Sequence, residues 1–277
     1  MNRSLCPEPF FLDTSRGPRF CIFHPAAASS PKCPILYVHP FAEEMNKARR
    51  MAALQARALA QAGHAVLQID LLGCGDSAGD FGDATWDAWH ADLSDSLHWL
   101  GSRVSGAPYL WGLRLGALLA LDFYQQRQPG CAGFILWQPI VNGAAFVTQF
   151  LRLRVANAML AGASGATDTN ELRRALQSGE ALEIAGYLLN PQLAAAIDAL
   201  ELQALAPTRL PVRWFEVVGE PSRPLPPASK RVLAAWREQG IDVLAQAVGG
   251  ESFWATQEIT ECAALIAATI EAMQGLP

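Results

Sequence analysis

The chain has 277 residues, of which 51% are hydrophobic and 17% charged, and a formal net charge of −5. That is enough apolar material for one large core and leaves little room for disorder. The acidic balance, with no Lys/Arg run, excludes a nucleic-acid surface, and no apolar run approaches the roughly 18 residues of a membrane span. The opening Met1–Pro9 lacks the apolar core of an export signal, so a soluble, cytoplasmic protein is expected. The 6 cysteines show no CxxC or His-linked spacing and read as reduced structural thiols, with no metal or cofactor expected.

In chain order, strands are predicted at Arg19–Phe23 and Pro34–His39, followed by a helix from Asn46 to Gln61 closed by Gly63. His64–Asp70 is the next strand, and the glycine-rich turn Leu72-Gly-Cys-Gly-Asp-Ser77 follows it. A helix rich in Trp and Leu runs from about Thr85 to Leu100, its Trp86, Trp89 and Trp99 expected to pack on a sheet. Tyr109–Leu121 supplies a strand and a helix, and Gly133–Trp137 another strand. From residue 144 to 205 the alternation gives way to a mostly helical block, with Gly/Ser/Thr breaks at 162–170. Strand Val212–Val218, a helix from Pro227 to Gln239, strand Val243–Val248 and a last helix resume the rhythm. Strands alternating with amphipathic helices imply an α/β fold with a mostly parallel sheet covered on both faces. Residues 1–143 and 206–277 form the core on this reading, and 144–205 an inserted helical cap.

Gly112-Leu-Arg114-Leu-Gly116 stands between an apolar strand and an apolar helix. Two glycines four apart around one central residue have the shape of a nucleophile elbow, a strained turn whose neighbours must be small. The central residue here is Arg114, whose guanidinium stays protonated and has no attacking lone pair. It cannot form an acyl-enzyme.

The His39-Pro-Phe-Ala42 loop, the Asp70…Gly73-Cys-Gly-Asp-Ser77 turn and this elbow, in that order along the chain, resemble the α/β-hydrolase superfamily over almost the whole chain. More narrowly, Gly112–Ala120, Glu183-Ile-Ala-Gly-Tyr187 and Gly250-Glu-Ser-Phe-Trp254 resemble the exosortase A system-associated hydrolase 2 family. That resemblance implies an esterase-like hydrolase ancestry and a bacterial system for protein sorting and exopolysaccharide, with a possible protein partner there. In this fold the chain order is nucleophile, acid, histidine. All 5 histidines (24, 39, 64, 90 and 98) precede Arg114, so none can stand after the last strand. Glu251 and Ser252 lie near the histidine position, and Glu220 lies at the acid position.

The resemblance also implies an oxyanion site made by the N–H of Leu115 and that of Phe41 or Ala42. With Arg114, these donors suit a small anionic or acyl ligand. A competing reading pairs Arg114 with Glu220, Glu251, Glu43 or Glu44. His39 is a candidate ligand contact or displaced base, or a strand-end histidine bonded to backbone, and Trp254, after Phe253, a candidate pocket wall. Asp70, Asp76 and Ser77 are expected to shape their turn, and Cys74 to be a buried thiol. Three functions remain open: a ligand-binding protein without serine hydrolysis, a hydrolase using water activated by a carboxylate or His39, and a scaffold. The oligomeric state is left undetermined.

Overall fold

The computed structural model describes residues 6–28, 30–160, 168–220 and 222–274. The breaks expected at 162–170 lie mostly outside these residues, as do the first five residues. An eight-stranded sheet runs through the protein. In chain order its strands are β1 (Glu8–Leu12), β2 (Arg19–His24), β3 (Ile35–Val38), β4 (Val66–Ile69), β5 (Tyr109–Leu113) and β6 (Gly133–Trp137). A short hairpin follows, β7 (Leu182–Ile184) and β8 (Tyr187–Leu189), and then β9 (Val212–Val218) and β10 (Val243–Gly249) complete the sheet.

The spatial order is β1-β2-β4-β3-β5-β6-β9-β10. Pairing is antiparallel from β1 to β2 and from β2 to β4, and parallel from β4 to β10. The central strands β3, β5 and β6 are buried at every position, as apolar runs such as Ile-Leu-Tyr-Val require when both faces are covered.

Eight α-helices are described. They are α1 (Glu43–Gln61), α2 (Trp86–Arg103), α3 (Leu115–Arg127), α4 (Gly143–Leu160), α5 (Thr169–Gln177), α6 (Pro191–Asp198), α7 (Pro227–Glu238) and α8 (Ala263–Gln274). One face of the sheet packs on α1 and α8 through Met51, Leu59, Leu265 and Met273. The other packs on α2, α3 and α7, and α4 to α6 join that second core. Trp86 and Trp89 are buried in it, and Trp99 stacks on Phe10 of β1 at 4.4 Å between ring centroids.

Three local differences from the expected elements matter. Edge strand β1 pairs on one side only and is largely exposed, so it carries no buried apolar run by which to recognise it. The segment between β6 and β9 holds the β7–β8 hairpin as well as helices, turned by Ala185 and Gly186 at positive φ. Helix α1 begins at Glu43 and not Asn46, which places two glutamates in its first turn. There they complement the helix dipole.

Candidate active site

The turn at Arg114 is built by its neighbours. Arg114 has φ 57° and ψ −118° and caps α3 directly after β5. Its N–H donates to the Trp137 carbonyl at 2.9 Å, and its carbonyl accepts from Ala117 N–H at 3.1 Å. The two glycines are there for space. A Cβ on Gly112 would lie 2.3 Å from Ala117 Cα, and one on Gly116 would lie 2.2 Å from the Val38 carbonyl oxygen. Strand, helix and the next strand can meet only because those methyl groups are missing.

The neighbouring turn, after β3, repeats this backbone. Ala42 has φ 49° and ψ −128° and caps α1. Its first turn presents Glu44 to Arg114: Nε donates to Oε1 at 3.1 Å and to Oε2 at 3.3 Å, and Nη2 donates to Oε1 at 3.0 Å. Of the four glutamates that could partner Arg114, the structure selects Glu44. The guanidinium carbon also lies 5.5 Å from the Trp254 ring centroid, in cation–π range. Both charged side chains are about one-sixth exposed, 17% and 16%. Burial pushes the Glu44 carboxyl above its ordinary range, and this outweighs the opposing pull of Arg114.

A cavity of about 280 Å³ opens over this pair. Phe41, Phe146, Phe150, Leu153 and Trp254 supply its apolar wall, and Glu43, Glu44, Arg114, Gln149 and Ser252 its polar groups. Phe41 meets Phe146 and Phe150 edge to face, with centroids 5.6 and 5.0 Å apart. The site thus joins four segments: the loop after β3, the elbow, helix α4 and the loop after β10. The α4 residues were not anticipated as pocket residues. Their spacing, Phe146, Phe150 and Leu153, is one apolar helix face, the same signal that a plain core helix gives.

Several expected site residues fall elsewhere. Glu220 and Glu251 are exposed, and among the described residues neither carboxylate has a hydrogen-bond or ion-pair partner. Ser252 lines the cavity but is exposed, in a loop tied by backbone bonds from Ala255 and Thr256 to its carbonyl. His39, considered as a ligand contact or displaced base, lines a different cavity, between β2, β4 and α1. Its Nδ1–H donates to the Pro40 carbonyl at 2.7 Å while Nε2 accepts from Leu71 N–H at 3.2 Å. Burial lowers its proton affinity. Both ring nitrogens hold backbone, so His39 fixes the loop that carries Phe41 and Ala42. Those two and Leu115 are buried beside the elbow.

The glycine-rich turn is internally braced. Asp70 accepts from Arg49 Nη2 at 2.8 Å and from Asp76 N–H at 3.1 Å, while Ser77 Oγ accepts from Phe20 N–H at 2.9 Å. Cys74 is buried, and desolvation pushes its thiol far up. The buried carboxyls of Asp92, Asp122 and Glu216 were not singled out in the sequence. Glu216, inside the apolar run of β9, accepts from Trp214 Nε1 at 2.9 Å and from Ser229 Oγ. A glutamate amid Trp, Phe and Val was the available signal, since such a group must find donors.

A mostly parallel sheet in this order, helices on both faces, the helices α4 to α6 between β6 and β9 and a strained turn after β5 define the α/β-hydrolase fold. The chain belongs to the serine aminopeptidase S33 family (Hydrolase_4), whose model matches residues 29–193, more than half of its length. No curated protein matches it. Among solved structures it is similar to a thermostable carboxyl esterase from Bacillus coagulans in complex with glycerol, at 14% identity and TM-score 0.66, covering 99% of both chains. Est1E from Butyrivibrio proteoclasticus with ferulic acid bound gives 14% identity and TM-score 0.65, covering 96% of this chain and 98% of that one. A monoglyceride lipase variant from Saccharomyces cerevisiae gives 12% and 0.61, with 99% and 96% covered. At such identities the likeness is one of fold.

Proposed function

We propose that this α/β-hydrolase-fold protein binds a small acyl ligand in the cavity over Arg114 and forms no acyl-enzyme. The observation that carries the reading is the elbow itself: the position from which a nucleophile would attack holds a guanidinium paired with Glu44. Nε and Nη2 are engaged, and among the described residues nothing bonds Nη1, which leaves a donor edge for a ligand oxygen. Glu44 already cancels the charge of Arg114. An uncharged acyl carbonyl therefore fits better than a carboxylate, which would have to displace Glu44. The aromatic wall takes the apolar remainder of the ligand. The resemblance to exosortase-associated hydrolases supports a role for this binding in a bacterial surface-sorting or exopolysaccharide system, where a protein partner is a further expectation.

Calorimetric titration with a non-hydrolysable acyl compound, such as 3-phenylpropionamide, tests this. Binding by the wild type and a loss of about tenfold in Arg114→Ala, the scale of one hydrogen bond to a charged group, is the expected outcome. Equal binding by both proteins would remove Arg114 from the ligand site.

A second reading is water-based hydrolysis, favoured by one feature: Glu44, a carboxylate made more basic by burial, lines the cavity. Steady turnover of a phenyl ester, lost in Glu44→Gln and indifferent to serine-directed inhibitors, would establish it. A third, a scaffold with function on its surface, is the reading left if no small molecule binds.

A further inference from the structure

The cavity lined by His39 has a chemistry of its own. It lies where α1 packs over β2 and β4 and has a volume of about 160 Å³. Small side chains make it. Ala52 and Ala53 of α1 line it opposite the row Tyr37, Gln68 and Ile22, which stand side by side on β3, β4 and β2. Methyl groups there stop short of filling the gap between helix and sheet. A void of about this size with mostly apolar walls has room for one benzene-sized molecule.

Two polar groups in this lining are unengaged. Tyr37 is 4% exposed, and its hydroxyl has no hydrogen-bond partner among the described residues, yet the oxygen is not sealed inside protein. Gln68 accepts from the His24 ring at 2.9 Å through Oε1, and its amide N–H₂ has no partner among the described residues. The remaining polar groups are satisfied. Arg49 donates Nη1 and Nη2 to the two carboxylate oxygens of Asp70, at 3.3 and 2.8 Å, and both His39 nitrogens hold backbone. The Arg49–Asp70 pair leaves no net charge facing the cavity. Hydroxyls removed from bulk water ordinarily find a partner, and what this lining lacks is an acceptor.

We propose that this cavity is a second ligand site, separate from the one over Arg114, for a small neutral molecule with an apolar body and one carbonyl oxygen. The oxygen accepts from the Tyr37 hydroxyl, and Gln68 offers a second donor on the same wall. The body lies against Ile22, Met45, Ala52 and Ala53. A charged molecule would give up its water and meet an ion pair that is already neutral. The ligand class is therefore an uncharged ketone or aldehyde of about one ring.

The test is a titration with three compounds of one shape, cyclohexanone, methylenecyclohexane and cyclohexanecarboxylate, followed by the NMR resonances of the Met45 and Ala52 methyl groups. Cyclohexanone should shift both resonances and bind about fivefold tighter than methylenecyclohexane, the scale of one hydrogen bond between neutral groups. The carboxylate should bind weakest. Tyr37→Phe keeps the ring and removes the hydroxyl, and should bring the ketone to the level of the alkene. Ala53→Leu, checked for an unchanged melting transition, should fill the cavity and abolish both. A ketone affinity untouched by Tyr37→Phe, or equal affinities for ketone and alkene in the wild type, overturns carbonyl recognition. Methyl resonances that none of the three compounds moves, or binding that persists in Ala53→Leu, overturn the cavity as a ligand site.

Discussion

Two strand-to-helix turns stand side by side in this protein, because β3 and β5 are neighbours in the sheet. The turn at Ala42 and the turn at Arg114 have nearly the same backbone, φ 49° and ψ −128° against φ 57° and ψ −118°. Both put a non-glycine residue where L side chains are strained, and both open a helix. They differ in what the side chains then do. Ala42 presents a methyl group and backbone; Arg114 presents a charge, and the glutamate that answers it, Glu44, comes from the helix behind Ala42. The pair shows one backbone serving two chemistries: around Arg114 it is flanked by Gly112 and Gly116, and around Ala42 by Pro40 and Glu44.

That comparison is broken most severely at the glycines. Gly116→Ala drives a Cβ to 2.2 Å from the Val38 carbonyl oxygen, a backbone atom that cannot swing away. A loss of about 3 kcal/mol or more is expected in urea unfolding. A wild-type midpoint would mean that the elbow is looser than described.

The next effect is electrostatic. Glu44→Ala removes every acceptor that Glu44 offers the Arg114 guanidinium and should cost about 2 kcal/mol, below the figure for a fully buried pair because of the partial exposure. Replacing both partners, Arg114→Met with Glu44→Leu, should return stability to within about 1 kcal/mol of wild type. The pH dependence has a definite sign. A folded-state value raised above the ordinary 4.5 means that Glu44 contributes most stability below that pH and loses it as pH rises through the raised value. Glu44→Gln should remove this slope from the stability profile above pH 4.5; an identical profile in the variant would assign the slope to other groups.

The smallest effect belongs to the quieter turn. Ala42→Gly relieves the strain at φ 49° and should stabilise by about 0.5–1 kcal/mol after the entropy of a glycine is subtracted. A destabilisation would show that the Ala42 methyl group packs well enough to outweigh the strain.

Most of the sheet was legible because buried strands such as Tyr109–Leu113 and Gly133–Trp137 are unbroken apolar runs between turn signals. The elbow was legible for a different reason: only a close approach asks for Gly112 and Gly116 at that spacing. Glu44 stayed one candidate among four, because no residue-level pattern says which loop folds back on which. Its selection depends on α1 starting at Glu43, three residues before the apolar periodicity begins. His39 was ambiguous for a similar reason. A histidine at a strand end reads alike whether it faces a ligand or ties down Pro40 and Leu71. The β7–β8 hairpin, with strands of three residues, is too short for alternation to register.

The most direct test of the central claim is intact mass spectrometry of the folded protein, denatured after incubation with a fluorophosphonate. With a guanidinium in the elbow, the expected result is an unmodified mass, under conditions that fully label a serine esterase. A stoichiometric adduct on any serine would contradict the claim, and would mean that a nucleophile and its base have been assembled elsewhere around the cavity.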